Sequence, residues 1–283
     1  MRPSFDHAVI IVEDLAAATG QFTRGGFAVL PGGRHEGMPT HNALIPFADG
    51  SYLELLAPVS AGDLGRLANW KRVGLLDSYL SFQSIVAQRF LASLAAGPGL
   101  ADYALASRGL LADLTDARAR GVTYSGPLPG GRMRPDGRKI EWFVAMPPGT
   151  DLPFLIEDVT PRALRVPAAQ PGMHENGATG VVRVTVAVAN LTASAARYRA
   201  LLGFEPAAGA RLHMLPDAHT LDFDLGPTTI TLAEPADKRS ALHRAIAGRG
   251  ERAYALQVRT TRIADAGLFD LPDKEGTHIE LVF

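Results

Sequence analysis

The chain has 283 residues, 47% of them hydrophobic and 20% charged, so it has ample apolar area for packed cores. A formal net charge of −1 and scattered basic residues argue against nucleic-acid binding and against binding to an anionic membrane. The sequence has no cysteine, which excludes disulfides, thiolate metal sites and cysteine nucleophiles. No segment has the length and character of a membrane span or a signal peptide, so we expect a cytoplasmic protein.

The first 58 residues predict the order strand, helix, strand, strand, strand. β-Branched residues indicate a strand over residues 5–12, and Asp14 is placed to cap a helix over residues 15–24. Three short strands are predicted to follow, over residues 28–30, 42–47 and 52–56, with turns at 31–33 and 49–50. Leucine and alanine at helical spacing then predict one or two connecting helices over residues 60–96.

The same order of elements returns twice after the connector. The second unit is predicted to hold a strand over 101–107, a helix over 110–120 and strands over 122–125, 139–145 and 154–159. The third has a strand over 181–188, a helix over 192–202 and extended runs over 212–215, 220–225 and 228–232. A shortened fourth unit keeps strands over 253–259 and 278–283. Internal repetition of this kind is a strong indication of architecture.

Two landmarks align the first and second units. Gly26-Phe27, which follows the first helix, matches Gly121-Val122, and this alignment places His7 on Asp102. A glutamate recurs in the last strands, as Glu54, Glu157 and Glu280. The repeat predicts an α+β fold in which tandem βαβββ modules form curved mixed sheets around a cavity, with a helical connector.

We expect two domains. Residues 1–165 would hold a module pair, made of 1–58 and 98–162 and joined by the connector over 60–96. Residues 178–283 would hold a degenerate pair, and the segment between the two domains contains proline and glycine as linkers do.

Four residues of the first domain are candidates for a metal site. If the first and last strands of each module line one cavity, His7 and Glu54 meet there, and the paired module adds Asp102 and Glu157. Imidazole favours Zn, Ni, Fe or Co, and carboxylate oxygens extend the choice to Mn or Mg. The simpler interpretation is that His7 is a hydrogen-bonded core residue and Glu54 its buried partner.

Other polar residues fall on two matching loops and are candidates for substrate binding. His35 and His41 are on the first loop, between the second and third strands, and Asn42 is at its end, where the third strand begins. Arg132 and Arg134 are on the second loop. Arginine is suited to holding a carboxylate or a phosphate through paired hydrogen bonds. The alternative for both loops is an ordinary solvated turn.

The first segment resembles a known family. The resemblance is carried by Asp6-His7-Ala8-Val9, Gly26-Phe27, Pro31-Gly32-Gly33-Arg34-His35, Thr40-His41-Asn42-Ala43-Leu44-Ile45 and Tyr52-Leu53-Glu54-Leu55. Together these look like the glyoxalase-like domains of the vicinal-oxygen-chelate superfamily, which also holds extradiol dioxygenases and bleomycin-resistance proteins. The resemblance weakens towards residue 162, and beyond it only the order of elements is similar.

The resemblance implies that the metal ligands are His7, Glu54 and Glu157, with Asp102 at the fourth position. In the second half the matching residues are Arg183, Thr231, Ala253 and Glu280, which cannot form an ordinary metal site.

The implied function is a metal-dependent lyase, isomerase or ring-cleaving dioxygenase that acts on a small oxygen-bearing molecule, with Glu54 or Glu157 moving a proton. The alternative is a metal-free protein that binds a drug or another small molecule. We expect no nucleic-acid or membrane partner, and a homodimer stays open.

Overall fold

The chain folds around two curved sheets, and this computed structural model describes residues 3–134, 136–269 and 278–283. The first sheet contains β1 (Ser4–Ile11), β2 (Leu30–His35), β3 (Thr40–Pro46), β4 (Tyr52–Pro58), β5 (Gly99–Ala106), β6 (Ser125–Met133), β7 (Lys139–Met146) and β8 (Phe154–Asp158). These strands close a barrel in the order β1-β4-β3-β2-β6-β7-β8-β5. The first two modules therefore pair within the chain, through β1 with β5 and β2 with β6.

Helices cover the barrel and connect its modules. They are α1 (Leu15–Arg24), α2 (Ala61–Arg72), α3 (Leu76–Ser81), α4 (Ile85–Ala95), α5 (Leu110–Ala119) and α6 (Arg162–Arg165). The carboxylate of Asp14 accepts a hydrogen bond from the Ala17 amide at 2.8 Å, so it caps α1 as predicted. The connector holds three helices where the sequence predicted one or two.

The second half forms a seven-stranded sheet of order β10-β11-β12-β9-β13-β15-β14. Its elements are β9 (Ala178–Ala187), α7 (Leu191–Leu202), β10 (Ala207–Ala208), β11 (Ala218–Asp224), β12 (Thr229–Pro235), α8 (Ala241–Arg249), β13 (Arg252–Thr260), a 3₁₀ turn (Ile263–Asp265), β14 (Gly267–Phe269) and β15 (His278–Val282). The predicted run over 212–215 is a turn closed by an isolated bridge.

Both faces of β1 are buried, which explains its nearly continuous run of apolar residues. Ala8 and Ile10 pack outward into a core that they share with Val184 of β9, whereas Val9 and Ile11 belong to a separate cluster inside the barrel. The outer face of the barrel therefore packs against the second sheet.

The predicted fold class is confirmed, since curved mixed sheets of tandem modules enclose a cavity. Because the outer core is continuous between the halves, the division into two domains stays a prediction. No helix among the described residues is long and apolar enough to cross a bilayer.

Candidate functional site

A cavity of about 360 Å³ lies inside the barrel and is called the barrel cavity below. Its walls are mainly apolar and include Phe90, Leu128, Trp142, Val144, Phe154 and Ile156. Its polar residues include His7, His35, Asn42, Tyr52, Glu54 and Arg132. An apolar enclosure with a few converging polar groups is the usual form of a small-molecule site.

His7 and Glu54 meet in this cavity, as the sequence predicted. The Nε2 atom of His7 lies 3.4 Å from Oε2 of Glu54. On either side of Glu54, Leu53 and Leu55 pack outward into the shared core, so strand alternation directs the glutamate inward. The imidazole stacks on the ring of Tyr52, with 4.5 Å between ring centroids.

Asn42 and His35 complete the surroundings of Glu54. The side-chain oxygen of Asn42 accepts hydrogen bonds from the Gly33 amide at 3.0 Å and from Arg132 at 2.8 Å. This fixes the orientation of the amide, so its Nδ2 group donates to Oε1 of Glu54 in a short hydrogen bond. The Nε2 atom of His35 lies 3.5 Å from the same oxygen.

On its other side, His7 contacts a second carboxylate. Its Nδ1–H group donates to Oδ1 of Asp6 at 2.6 Å. Asp6 lies at a bulge in β1, where the register steps from Phe5 to His7, so adjacent side chains can approach each other. Arg165 binds both oxygens of Asp6, at 3.0 and 3.1 Å, and also donates to the Tyr52 hydroxyl at 2.7 Å.

These contacts shift the pKa values of the three groups. Burial alone would lower the pKa of His7, but hydrogen bonds to Asp6 and Glu54, with their charges, outweigh it and raise that pKa. Burial alone would raise the pKa of Glu54, but hydrogen bonds to His35 and His7 bring it well below its usual value. The pKa of Asp6 is likewise held low, because the charge of Arg165 and the His7 bond outweigh burial.

Glu157 does not join His7 and Glu54, so its predicted place at the metal site is wrong. In β8 it is Phe154 and Ile156 that line the cavity, and alternation puts Glu157 on the other face. Its Oε2 atom accepts a hydrogen bond from the Leu110 amide at 3.1 Å, at the start of α5. That helix begins after Gly109, which has no side chain to cap it, so Glu157 supplies the acceptor.

Asp102 is also bound elsewhere, which corrects its predicted role. Arg89 of α4 pairs with its carboxylate and donates to Oδ1 at 2.8 Å. The same guanidinium donates to the Leu152 carbonyl at 2.8 Å. In the register of β1 with β5, the residue opposite His7 is Ala104, which offers no ligand.

The predicted substrate-binding residues separate into two groups. His35, Asn42 and Arg132 line the cavity. His41 precedes Asn42 in β3, so its side chain points to the opposite face of the strand and does not line the cavity. Arg134 lies beyond the end of β6, where it pairs with Asp136 at 3.1 Å and donates to the Leu164 carbonyl. The structure therefore does not place His41 and Arg134 on the wall of the cavity, and their predicted contact with substrate stays a prediction.

These donors do not form a metal site. Within residues 3–134, 136–269 and 278–283, no group of three or more His, Asp or Glu side chains is arranged to hold a metal ion. Of the four predicted ligands, only His7 and Glu54 meet. Both ring nitrogens of His7 face carboxylates, and Glu54 already accepts a hydrogen bond from Asn42. The residues present therefore do not fit the expected metal.

In the second half, residues that correspond to the predicted metal ligands take part in hydrogen bonds between side chains. Arg183 binds the Asp222 carboxylate at 3.0 Å and donates to Gln257 at 3.1 Å. Gln257 in turn donates to Glu280 at 2.7 Å. Ala253 takes no part and pairs with Val186 in the sheet.

Comparison with known proteins identifies the family. The chain belongs to the glyoxalase-like domain family, whose model matches residues 5–202. No curated protein matches the chain in sequence.

Solved structures are similar in fold. A hypothetical protein from Staphylococcus aureus is 14% identical, with a TM-score of 0.70 over 100% of this chain and 99% of its own. A mutant 4-hydroxymandelate synthase from Streptomyces coelicolor is also 14% identical, with a TM-score of 0.57 over 96% of this chain and 78% of its own. At this identity the likeness shows the fold alone.

Proposed function

We propose that this protein is an enzyme that moves a proton on a small carbonyl compound bound in the barrel cavity, with Glu54 as base and His7 as acid. The observation that carries the proposal is the contact of 3.4 Å between the Glu54 carboxylate and the His7 imidazole inside an apolar enclosure. Groups whose pKa values are driven apart in one cavity are suited to paired acid and base roles.

The proposed step is enolisation. Glu54 takes a proton from the carbon next to the carbonyl group, and the Nε2–H group of His7 gives a proton to the carbonyl oxygen. Glu54 then returns its proton to the same carbon and the enol hydroxyl returns its proton to His7, which restores both side chains and completes an exchange. In an α-hydroxy carbonyl compound, Glu54 can instead protonate the former carbonyl carbon while the other hydroxyl gives its proton to His7, which completes an isomerisation. Asp6 holds the imidazole in place through Nδ1.

Of the reaction classes that the sequence predicted, isomerisation and lyase reactions can proceed by proton transfer between the substrate and side chains. No step of the proposed reaction uses a metal ion, because only two of the four predicted ligands meet. We therefore favour an isomerase or a lyase over a ring-cleaving dioxygenase.

Hydrogen–deuterium exchange tests the proposal directly. The protein is incubated in D₂O with phenylacetone or phenylpyruvate, and loss of the proton signal next to the carbonyl is followed by NMR above the buffer background. We expect Glu54→Gln to slow the exchange about 10²–10⁴-fold, which is typical for loss of a general base. Glu141→Gln is the matched control, because Glu141 is a half-exposed residue outside the cavity.

Two results would contradict the proposal. Exchange that stops when a chelator is added would point to a metal-dependent reaction. Binding of both probes without any exchange would favour the alternative of a metal-free binding protein.

A further inference from the structure

We infer that the natural ligand of the barrel cavity has an apolar body and one carboxylate group, and that Arg132 holds this carboxylate. The inference rests on the proposed function only in that both place the substrate in the barrel cavity. It names the class of substrate, which the acid and base roles leave open.

Arg132 is buried in the cavity wall with only neutral partners. Its side chain lies on β6, and the residue is 3% exposed. One amino group donates to Oδ1 of Asn42 at 2.8 Å, and the other donates to the Arg165 carbonyl at 2.6 Å. Its Nε atom is buried and has no hydrogen-bond partner in the described part of the chain.

The charge of Arg132 has no direct counterion. Among the described residues, no carboxylate oxygen lies within 4.0 Å of its guanidinium, whereas Arg89 and Arg165 each contact carboxylates. Glu54 is near, but Asn42 lies between them and bonds to both. Burial lowers the pKa of Arg132, although the charge of Glu54 opposes this effect. A buried cation of this kind is stabilised by an anion that arrives with the ligand.

The walls of the cavity indicate the polarity and size of the rest of the ligand. Leu128, Trp142 and Phe154 present apolar surface, and the volume of about 360 Å³ suits a molecule with a single ring or a branched chain. A carboxylate is planar and matches the fork of a guanidinium group. The polar groups of the cavity include this one cation without a counterion, so one acidic group is expected.

Calorimetric titration with two probes of the same shape tests the inference. Phenylacetate and phenylacetamide differ in charge and are compared at one pH and one ionic strength. We expect phenylacetate to bind the wild-type protein at least about tenfold more tightly, which corresponds to one charge-assisted hydrogen bond. In Arg132→Gln this preference is lost, and in Arg132→Lys part of it is retained. Arg134→Gln, two positions away and outside the cavity, keeps it.

Equal binding of the two probes by the wild-type protein would overturn the inference, and this comparison needs no variant to fold. A preference that survives in a folded Arg132→Gln protein would also overturn it. Neither result affects the role of Glu54, which the exchange of a neutral ketone, phenylacetone, tests by itself. Conversely, a carboxylate preference without proton exchange would support the binding role of Arg132 and contradict the proposed reaction.

Discussion

Among single residues, Asp6 is the hydrogen-bond partner of His7, the proposed acid, although strand alternation hides this pairing in the sequence. Strict alternation would send adjacent residues to opposite faces, and only the bulge in β1 lets the carboxylate reach Nδ1. Arg165 and Arg162, which both bind Asp6, come from the four-residue helix α6, and their pairing depends on tertiary structure alone. His7 and Glu54 were predictable because each lies within an apolar strand.

Removal of the Asp6 charge should make the activity more sensitive to alkali. His7 is an acid only while it is protonated, so the exchange rate is present below its pKa and lost as the pH rises through it. Because Asp6 helps to raise that pKa, we expect Asp6→Asn to lower it and to move the alkaline loss of rate to lower pH.

NMR titration of the ring measures the pKa of His7. The rate of phenylacetone exchange, followed as a function of pH, measures the alkaline loss of activity. Asp136→Asn, which removes a partly exposed carboxylate paired with Arg134, is the control and should leave both curves unchanged. An alkaline limb that stays in place in Asp6→Asn would mean that another group is the acid.

At the level of secondary structure, the largest differences from the prediction are in β2 and β6. The sequence predicted turns at Pro31-Gly32-Gly33 and a loop around Arg132, since proline and glycine usually interrupt strands. In the structure both segments are strands, with register shifts at Gly32 and near Pro127, and they pair with each other at His35 and Arg132. This pairing closes the barrel and turns a predicted loop arginine into a cavity residue.

The connector helix α4 forms part of the wall of the barrel cavity, which its sequence did not indicate. Phe90 lines the cavity and packs edge-on against Phe154, with 5.9 Å between ring centroids. We expect Phe90→Ala to weaken phenylacetone binding about tenfold or more, since burial of an aromatic side chain contributes about 1.5–3 kcal/mol.

Calorimetry on the variant measures this change in affinity. Phe82→Ala on the same connector is the matched control, because that ring is 87% exposed and lies outside the cavity. Unchanged affinity in Phe90→Ala would show that the ligand does not reach the wall formed by α4.

For the whole molecule, periodicity and the internal repeat predicted the order of elements and the fold class. Four repeated units with matching strands allow few arrangements other than paired modules. What could not be predicted is how the two halves meet, because that depends on which apolar faces are left over once each sheet has formed. The outer residues Leu53 and Leu55 of the barrel share one core with Leu256 of β13.

This shared core predicts that the halves unfold together. Leu256 is fully buried, and we expect Leu256→Ala to reduce the free energy of unfolding by about 2–5 kcal/mol, as is usual for truncation of a buried leucine. Both tryptophans of the chain, Trp70 and Trp142, lie in the first half, so their fluorescence reports on the barrel side alone. In urea, the fluorescence transition should shift to lower concentration by as much as the transition followed by far-ultraviolet circular dichroism. Leu268→Ala, at an exposed position in the same sheet, should shift neither. A fluorescence midpoint that stays fixed while the circular dichroism transition splits into two would show that the second sheet stabilises only itself, and that the barrel cavity keeps its shape without it.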